Sequence, residues 1–510
     1  MSEKVAAISL EELMKEFKEL DEKITHFDAI TGLADWDQKV MAPKKGRNEF
    51  AKAVGTLRTE AFKLAVSEEM GNLLKEFNSE SAREKLDEVT AAQVRERQEF
   101  YERSKRIPAD MFKEYSVLTA QANDAWEHAR EHNDFPHFAP YLEKIVDFKR
   151  KFAEIYGYEK HPYDAMLNEF EPGLTVEKLD PIFSKLRDTS VRLLEKIKQS
   201  TYQTPAEIFN QKFGVEKQKE FNRFILPIIG FDLDAGRLDE TVHPFAQSIN
   251  SGDVRITTRY LEDNVRSALF GTIHEAGHGI YEQNIDSRFD GTVLAGGTSF
   301  GIHESQSRFL ENMVGRSREF WKYFYPKLVE FFPEQLAGVS EVEFYRAVNT
   351  VEPSFIRIEA DELTYNLHIM VRYEIEKALM AGELEVHELP AVWNKKMEEY
   401  LGIVPAFDSE GVLQDVHWSF GGIGYFPSYS LGNLYAAQIL NTLKNEVPGY
   451  EAEIAKGNFA PVNDWLKNRI HQYGSLYKPD ELIVRVTREE LNANYLADYL
   501  NAKYTEIYKL

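Results

Sequence analysis

The run His274-Glu275-Ala276-Gly277-His278 constrains this chain more than any other five residues. On an α-helix, residues four apart share a face, one turn above each other, so both imidazoles can reach one cation. Glu275 leaves the axis about 100° further round. It falls beside such a cation rather than on it, where the general base for a metal-activated water belongs. The flanking run 264–283 is apolar at Val265, Leu269, Ile273, Ala276 and Ile280, which predicts a packed helix. A packed helix seldom carries two histidines and a glutamate without partners for them. The bland alternative is an exposed turn with two solvated histidines, and those apolar flanks count against it.

A catalytic zinc takes three protein ligands and keeps one position open. No further histidine follows at short spacing after His278, so the third ligand must come from elsewhere. The next candidate segment is His303-Glu304-Ser305-Gln306-Ser307-Arg308, running on helix-like through Phe309, Leu310 and Met313. Glu304 is the preferred third ligand, and His303 is its rival. The first helix is expected to end near Asp286, and a glycine-bearing loop (Gly291, Gly296, Gly297, Gly301) to turn the chain back.

Five motifs stand in order over residues 253–418: Asp253-Val254-Arg255-Ile256-Thr257, His274–His278, His303–Arg308, Ile356-Arg357-Ile358-Glu359-Ala360-Asp361, and Gly411-Val412-Leu413-Gln414-Asp415-Val416-His417-Trp418. With them the chain resembles the M32 family of metallocarboxypeptidases, the thermostable-carboxypeptidase group. No motif position departs from the pattern, and the length suits the family. The first 240 residues match it only in helical character. The resemblance implies a homodimeric peptide hydrolase that acts on substrates with a free C-terminus.

Composition is consistent with that implication. The chain has 510 residues, 43% of them hydrophobic, no cysteine, and a net charge of −23. Disulfides and thiolate chemistry are excluded. Such a negative field argues against nucleic acid and anionic membrane surfaces as partners. No apolar run approaches the length of a membrane span, and the opening Met1-Ser2-Glu3-Lys4-Val5 shows no secretory signal. The expected location is the cytoplasm.

Periodicity predicts mostly helix. Leu10, Leu13, Phe17, Leu20, Ile24 and Phe27 form a seam three and four residues apart, with Ser9 and Glu12 as a capping box. Helix-prone stretches follow at 46–76, 80–106, 108–132, 137–157 and 175–200. A break is expected over 161–173, ending in Glu171-Pro172-Gly173, and Thr204-Pro205 reads as a helix start. Val254, Ile256, Thr258 and Tyr260 alternate with Arg255, Thr257 and Arg259 as a strand, either an edge that pairs with substrate backbone or a hairpin arm. Asp253, Arg255 and Thr257 are expected to hold that sheet together. The fold class is mainly α: a zincin-like helical metallopeptidase with a small sheet beside the metal helix and a deep central groove. Residues 1–240 would form one helical wall of the groove and residues 241–510 the catalytic region. The boundary is soft enough to allow a single integrated domain.

The predicted cofactor is one zinc ion per chain, with cobalt equally suited to nitrogen and carboxylate ligands. Glu275 is the candidate base. Tyr425 or Tyr429 would stabilise the oxyanion, with His417 as a second donor and the glycines at 421, 422 and 424 bringing the loop close to substrate. Arg357 would bind the terminal carboxylate through its planar fork, with Tyr429 beside it. The alternative for Arg357 is an internal ion pair with Glu359 or Asp361. Asp361, Asp415 and Gln414 are candidates for orienting the histidines. Two other functions are carried alongside: an oligopeptidase or dipeptidyl carboxypeptidase on the same scaffold, and a non-enzymatic helical scaffold.

Overall fold

Ser9 opens the first helix, Leu10–Val40, in the computed structural model, which describes residues 9–510. Its hydroxyl accepts the Glu12 N–H (3.2 Å), and the Glu12 carboxylate accepts the Ser9 N–H (3.1 Å). This is the expected capping box. Leu13, Phe17, Leu20 and Ile24 are buried against helices Glu68–Phe77 and Glu88–Arg106. Phe17 meets Phe77 edge-on at 5.3 Å. These helices build a small core of their own. Leu10 and Phe27, at the ends of the seam, are only partly buried.

The stretch expected at 46–76 divides into Arg47–Ala65 and Glu68–Phe77, because Ser67 caps a new start by accepting the Met70 N–H. The break expected at 161–173 contains a helix, Tyr163–Phe170. Pro162 stands just ahead of it, where a missing N–H leaves no ladder bond unmade. Thr204-Pro205 starts only a 3-10 turn, Ala206–Phe209, and the Thr204 hydroxyl bonds Thr350 instead of capping.

Three strands form the sheet: β1 Gly236–Glu240, β2 Ala246–Asn250 and β3 Asp253–Thr258. Their order is β1-β3-β2, with β3 parallel to β1 and antiparallel to β2. The strand read from the sequence is therefore central. Both its edges are already paired, so it cannot pair with a substrate backbone. Arg255 forks onto Asp253 with two bonds of 2.8 Å and stacks over Trp36 at 4.5 Å. The Thr257 hydroxyl bonds the Phe245 N–H and carbonyl. Thr257 thus ties β3 to the segment entering β2, as expected, whereas Asp253 and Arg255 pair within β3 and anchor it to the first helix rather than to a neighbouring strand. The main core draws on both sides of residue 240, with Leu142, Phe183 and Ile225 joining Ile256, Trp321 and Leu431. Among the described residues, no helix is long and apolar enough to cross a membrane.

Candidate metal and substrate site

Asn264 caps helix Val265–Gln283, which carries the H-E-x-x-H run and ends three residues short of Asp286. A 3-10 turn and the glycine-bearing loop return the chain to helix Phe300–Arg308, capped by Ser299. The two helices touch at Gly277, where a Cβ would stand 2.5 Å from the Ser307 Cα. On the far side, helix Pro427–Glu446 presents Gly432, where a Cβ would lie 2.3 Å from the Glu304 Cγ. These two close approaches seat Glu304 against the histidine pair. Its Oε2 lies 3.6 Å from His274 Nε2 and 3.4 Å from His278 Nε2. All three atoms fall within 4.8 Å of one another. Two imidazole nitrogens and one carboxylate oxygen are the donor set of a catalytic zinc site. Both histidines keep a solvent-facing edge, with 18% and 17% of their side chains exposed.

The partners behind the histidines were not legible in the sequence. After Arg308 the helix widens into a π turn, Phe309–Val314, which carries Glu311. Glu311 Oε2 lies 2.9 Å from His274 Nδ1. His303, the rival ligand, instead stands behind His278, with Nδ1 to Nδ1 at 2.6 Å, and its Nε2 reaches Glu282 at 2.8 Å. Arg308 donates to Glu304 (2.7 Å) and to Glu311 (3.2 Å), and Arg316 also donates to Glu311 (3.2 Å). Burial alone would raise Glu304, but Arg308 and the histidines hold it far below the usual carboxylate range. Burial is likewise overcome at Glu311, where Arg308 and His274 bring the carboxyl to about 2. Burial also pulls His278 down to about 4, against the attraction of Glu304. Glu275 is buried beside the pair, and burial pushes its carboxyl up to about 7, with His274 opposing.

Arg357 is 5% exposed and lies in a 3-10 turn. It does have an internal partner, but neither of those expected. Its Nε and Nη2 donate to Asp415 Oδ1 at 3.1 and 2.9 Å, and its Nη1 donates to the Tyr365 hydroxyl at 2.9 Å. The other Asp415 oxygen accepts from Arg372 Nε at 2.7 Å. Asp361 instead caps helix Glu362–Ala381, accepting the Leu363 and Thr364 N–H groups. Gln414 accepts the Arg357 N–H and donates to the Phe355 and Glu410 carbonyls. Asp415 and Gln414 therefore brace this second cluster, Asp361 is a helix cap, and none of the three orients the histidines.

Tyr429, in the first turn of helix Pro427–Glu446, joins Arg357 to His417. Its ring lies 4.6 Å from the Arg357 guanidinium carbon, and its hydroxyl is 3.1 Å from His417 Nε2. His417 Nδ1 is buried without a partner. Burial, aided by Arg357 and Arg372, pulls this imidazole down to about 3, so it is neutral at physiological pH. Tyr425 lies 5.4 Å from Tyr429, ring to ring. Burial, with the Glu304 charge adding, pushes its hydroxyl up to about 12, so it keeps its proton. The glycines before Tyr425 serve packing against protein rather than an approach to substrate. A Cβ on Gly424 would meet the Met166 backbone at 2.7 Å.

Comparison with known proteins gives a consistent result. The family model for the Carboxypeptidase Taq (M32) metallopeptidases matches residues 16–504. Carboxypeptidase 1 of Bacillus subtilis is 46% identical, covering 97% of this chain and 99% of the relative. Thermostable carboxypeptidase 1 of Thermus thermophilus is 40% identical, over 96% and 98%. The crystal structure of the M32 carboxypeptidase from Deinococcus radiodurans superposes with a TM-score of 0.94 at 38% identity, covering 98% of this chain and 99% of that one. With a family model spanning nearly its whole length and relatives matched end to end, this chain belongs to the M32 family of metallocarboxypeptidases.

Proposed function

We propose that the enzyme removes residues one at a time from the free C-terminus of peptides, with one zinc ion held by His274, His278 and Glu304. The observation that carries this is the convergence of those three donor atoms, with Glu275 beside them. When bound, the ion supplies Lewis acidity toward the scissile carbonyl and toward water. Cobalt suits the same ligands.

The remaining work falls to side chains. Glu275 takes a proton from the attacking water and delivers it to the leaving amine. Its ordinary value is shifted toward neutrality by burial, which favours both transfers at working pH. Tyr425 keeps its proton and so can donate to the developing oxyanion. Tyr429 is the second donor, and neutral His417, whose Nε2 lies 3.1 Å from its hydroxyl, sets the orientation of that hydroxyl. Glu311 fixes the tautomer of His274. The pair His303–Glu282 does the same for His278, with each N–H pointing away from the ion.

Arg357 binds the terminal carboxylate. A guanidinium has five N–H groups, and three are used by Asp415 and Tyr365, which leaves two. Within the group Arg357–Asp415–Arg372, two cations face one anion. The uncancelled charge favours an incoming carboxylate. A homodimer belongs to the same proposal, on the strength of family membership, and sedimentation in solution checks it.

The test is a time course on an unmodified decapeptide, read by mass spectrometry. A ladder of products each one residue shorter at the C-terminus is expected. Release of dipeptides or internal fragments would favour the dipeptidyl or oligopeptidase alternative instead.

A further inference from the structure

Phe300 is a large apolar side chain left 48% exposed at the start of the helix that carries Glu304. It stands four residues before Glu304, so the two share a face one turn apart. Its ring meets Phe170 at 5.6 Å and Tyr425 at 5.2 Å, and Phe170 meets Tyr425 at 5.1 Å, all edge to face. Three rings in this geometry brace one another.

The backing of the trio is rigid. Phe170 ends helix Tyr163–Phe170, and the next residue, Glu171, is buried. Glu171 accepts the Gly301 N–H (3.0 Å) and the Tyr435 hydroxyl (2.8 Å). One carboxylate thus ties the helix behind Phe170 to the helix behind Phe300. Tyr425 is held on its other side by His417 at 5.1 Å and by Tyr429.

A gradient of exposure runs through these contacts. Arg357 is buried, Tyr429 and Tyr425 are partly buried, and Phe300 is half open to solvent. A peptide whose terminal carboxylate sits on Arg357, and whose scissile carbonyl lies beside Glu304, leaves the site past the rings. We propose that Phe170, Phe300 and Tyr425 form an apolar subsite for the side chain on the N-terminal side of the scissile bond. The subsite selects aliphatic and aromatic side chains over glycine at the penultimate position. This rests on the carboxypeptidase function proposed above, and it assigns Tyr425 two separable roles: its hydroxyl to the oxyanion, its ring to the subsite.

The test uses the full-length metal-loaded enzyme and pentapeptides Ala-Ala-Gly-X-Ala, with X as glycine, leucine or phenylalanine. The readout is the ratio of kcat/KM for X = Phe to that for X = Gly. In the parent this ratio should exceed roughly tenfold, the scale set by an apolar pocket. Phe300→Ala should cut the ratio by about tenfold. Tyr425→Phe keeps the ring and should leave the ratio in place while absolute turnover falls. A ratio unchanged within about twofold in Phe300→Ala, whatever happens to absolute activity, overturns the subsite. So does a parent ratio near one. If the first product lost from the parent is anything other than the single terminal alanine, the carboxypeptidase function itself fails, and that outcome is visible in the same product spectra.

Discussion

Asp415 is the sole anion between two buried cations in the Arg357 cluster, so Asp415→Asn should be costly. Each of its oxygens serves a different arginine. An asparagine keeps one acceptor and turns an NH2 group toward the other guanidinium. The side chains of Arg357, Asp415 and Arg372 are 6%, 12% and 0% exposed, so solvent screens little of this. Removing one member of a buried ion group costs about 3–5 kcal/mol. With an unfolding entropy of about 2.1 cal/mol/K per residue, 510 residues give about 1.1 kcal/mol/K. The melting temperature should therefore fall by about 3–5 °C at pH 7, as read by calorimetry. The pH dependence carries a sign. Burial opposes ionisation of Asp415, but the two arginines hold it far below its ordinary value. Its contribution is present above the unfolded value of about 3.9 and is lost as pH falls through the folded value. Between pH 6 and pH 3 the unfolded parent takes up this proton and the folded parent does not, a loss of about 1.3 kcal/mol that the asparagine variant escapes. The gap between the two proteins in denaturant melts should narrow by that amount. A variant melting within about 1 °C of the parent, with a gap independent of pH, would refute the reasoning.

Three further outcomes are expected. Arg357→Lys should lower kcat/KM on free peptides by roughly 10- to 150-fold, the worth of a charged bidentate contact, and should cost little on C-terminally amidated peptides; equal losses on both would remove Arg357 from substrate binding. Glu275→Gln should keep its metal and lose at least about a hundredfold in turnover, so near-normal turnover would exclude it as the base. His303→Leu should weaken zinc affinity by about 10- to 100-fold in chelator competition, while Glu282→Gln, which keeps an acceptor for His303, should lose less; an unchanged affinity in His303→Leu would show that the His278–His303 contact does not support the metal.

The helical architecture was legible because its signals are local. Ser9 with Glu12 and the seam through Leu13, Phe17, Leu20 and Ile24 need only their own helix to be interpreted. The convergence of His274, His278 and Glu304 was also anticipated, since the histidine spacing fixes a face and the intervening loop is long enough to return the chain. What escaped depends on pairings distant in sequence. Nothing local marks β3 as central, because β1 joins it in parallel from outside the hairpin. Asp415 lies 58 residues from Arg357, so proximity in sequence wrongly favoured Glu359 and Asp361. Glu311 had a faint signal, two turns after Glu304 on the same helical run, but a π turn sets where it points. The helix Tyr163–Phe170 was hidden by its flanking prolines.

The central claim is that one ion is bound by His274, His278 and Glu304, and metal content measured by plasma mass spectrometry tests it most directly. The parent should carry one zinc or cobalt per chain, and His278→Ala, purified in parallel, should carry none and be inactive. Full occupancy in His278→Ala would place the ion elsewhere and contradict the account.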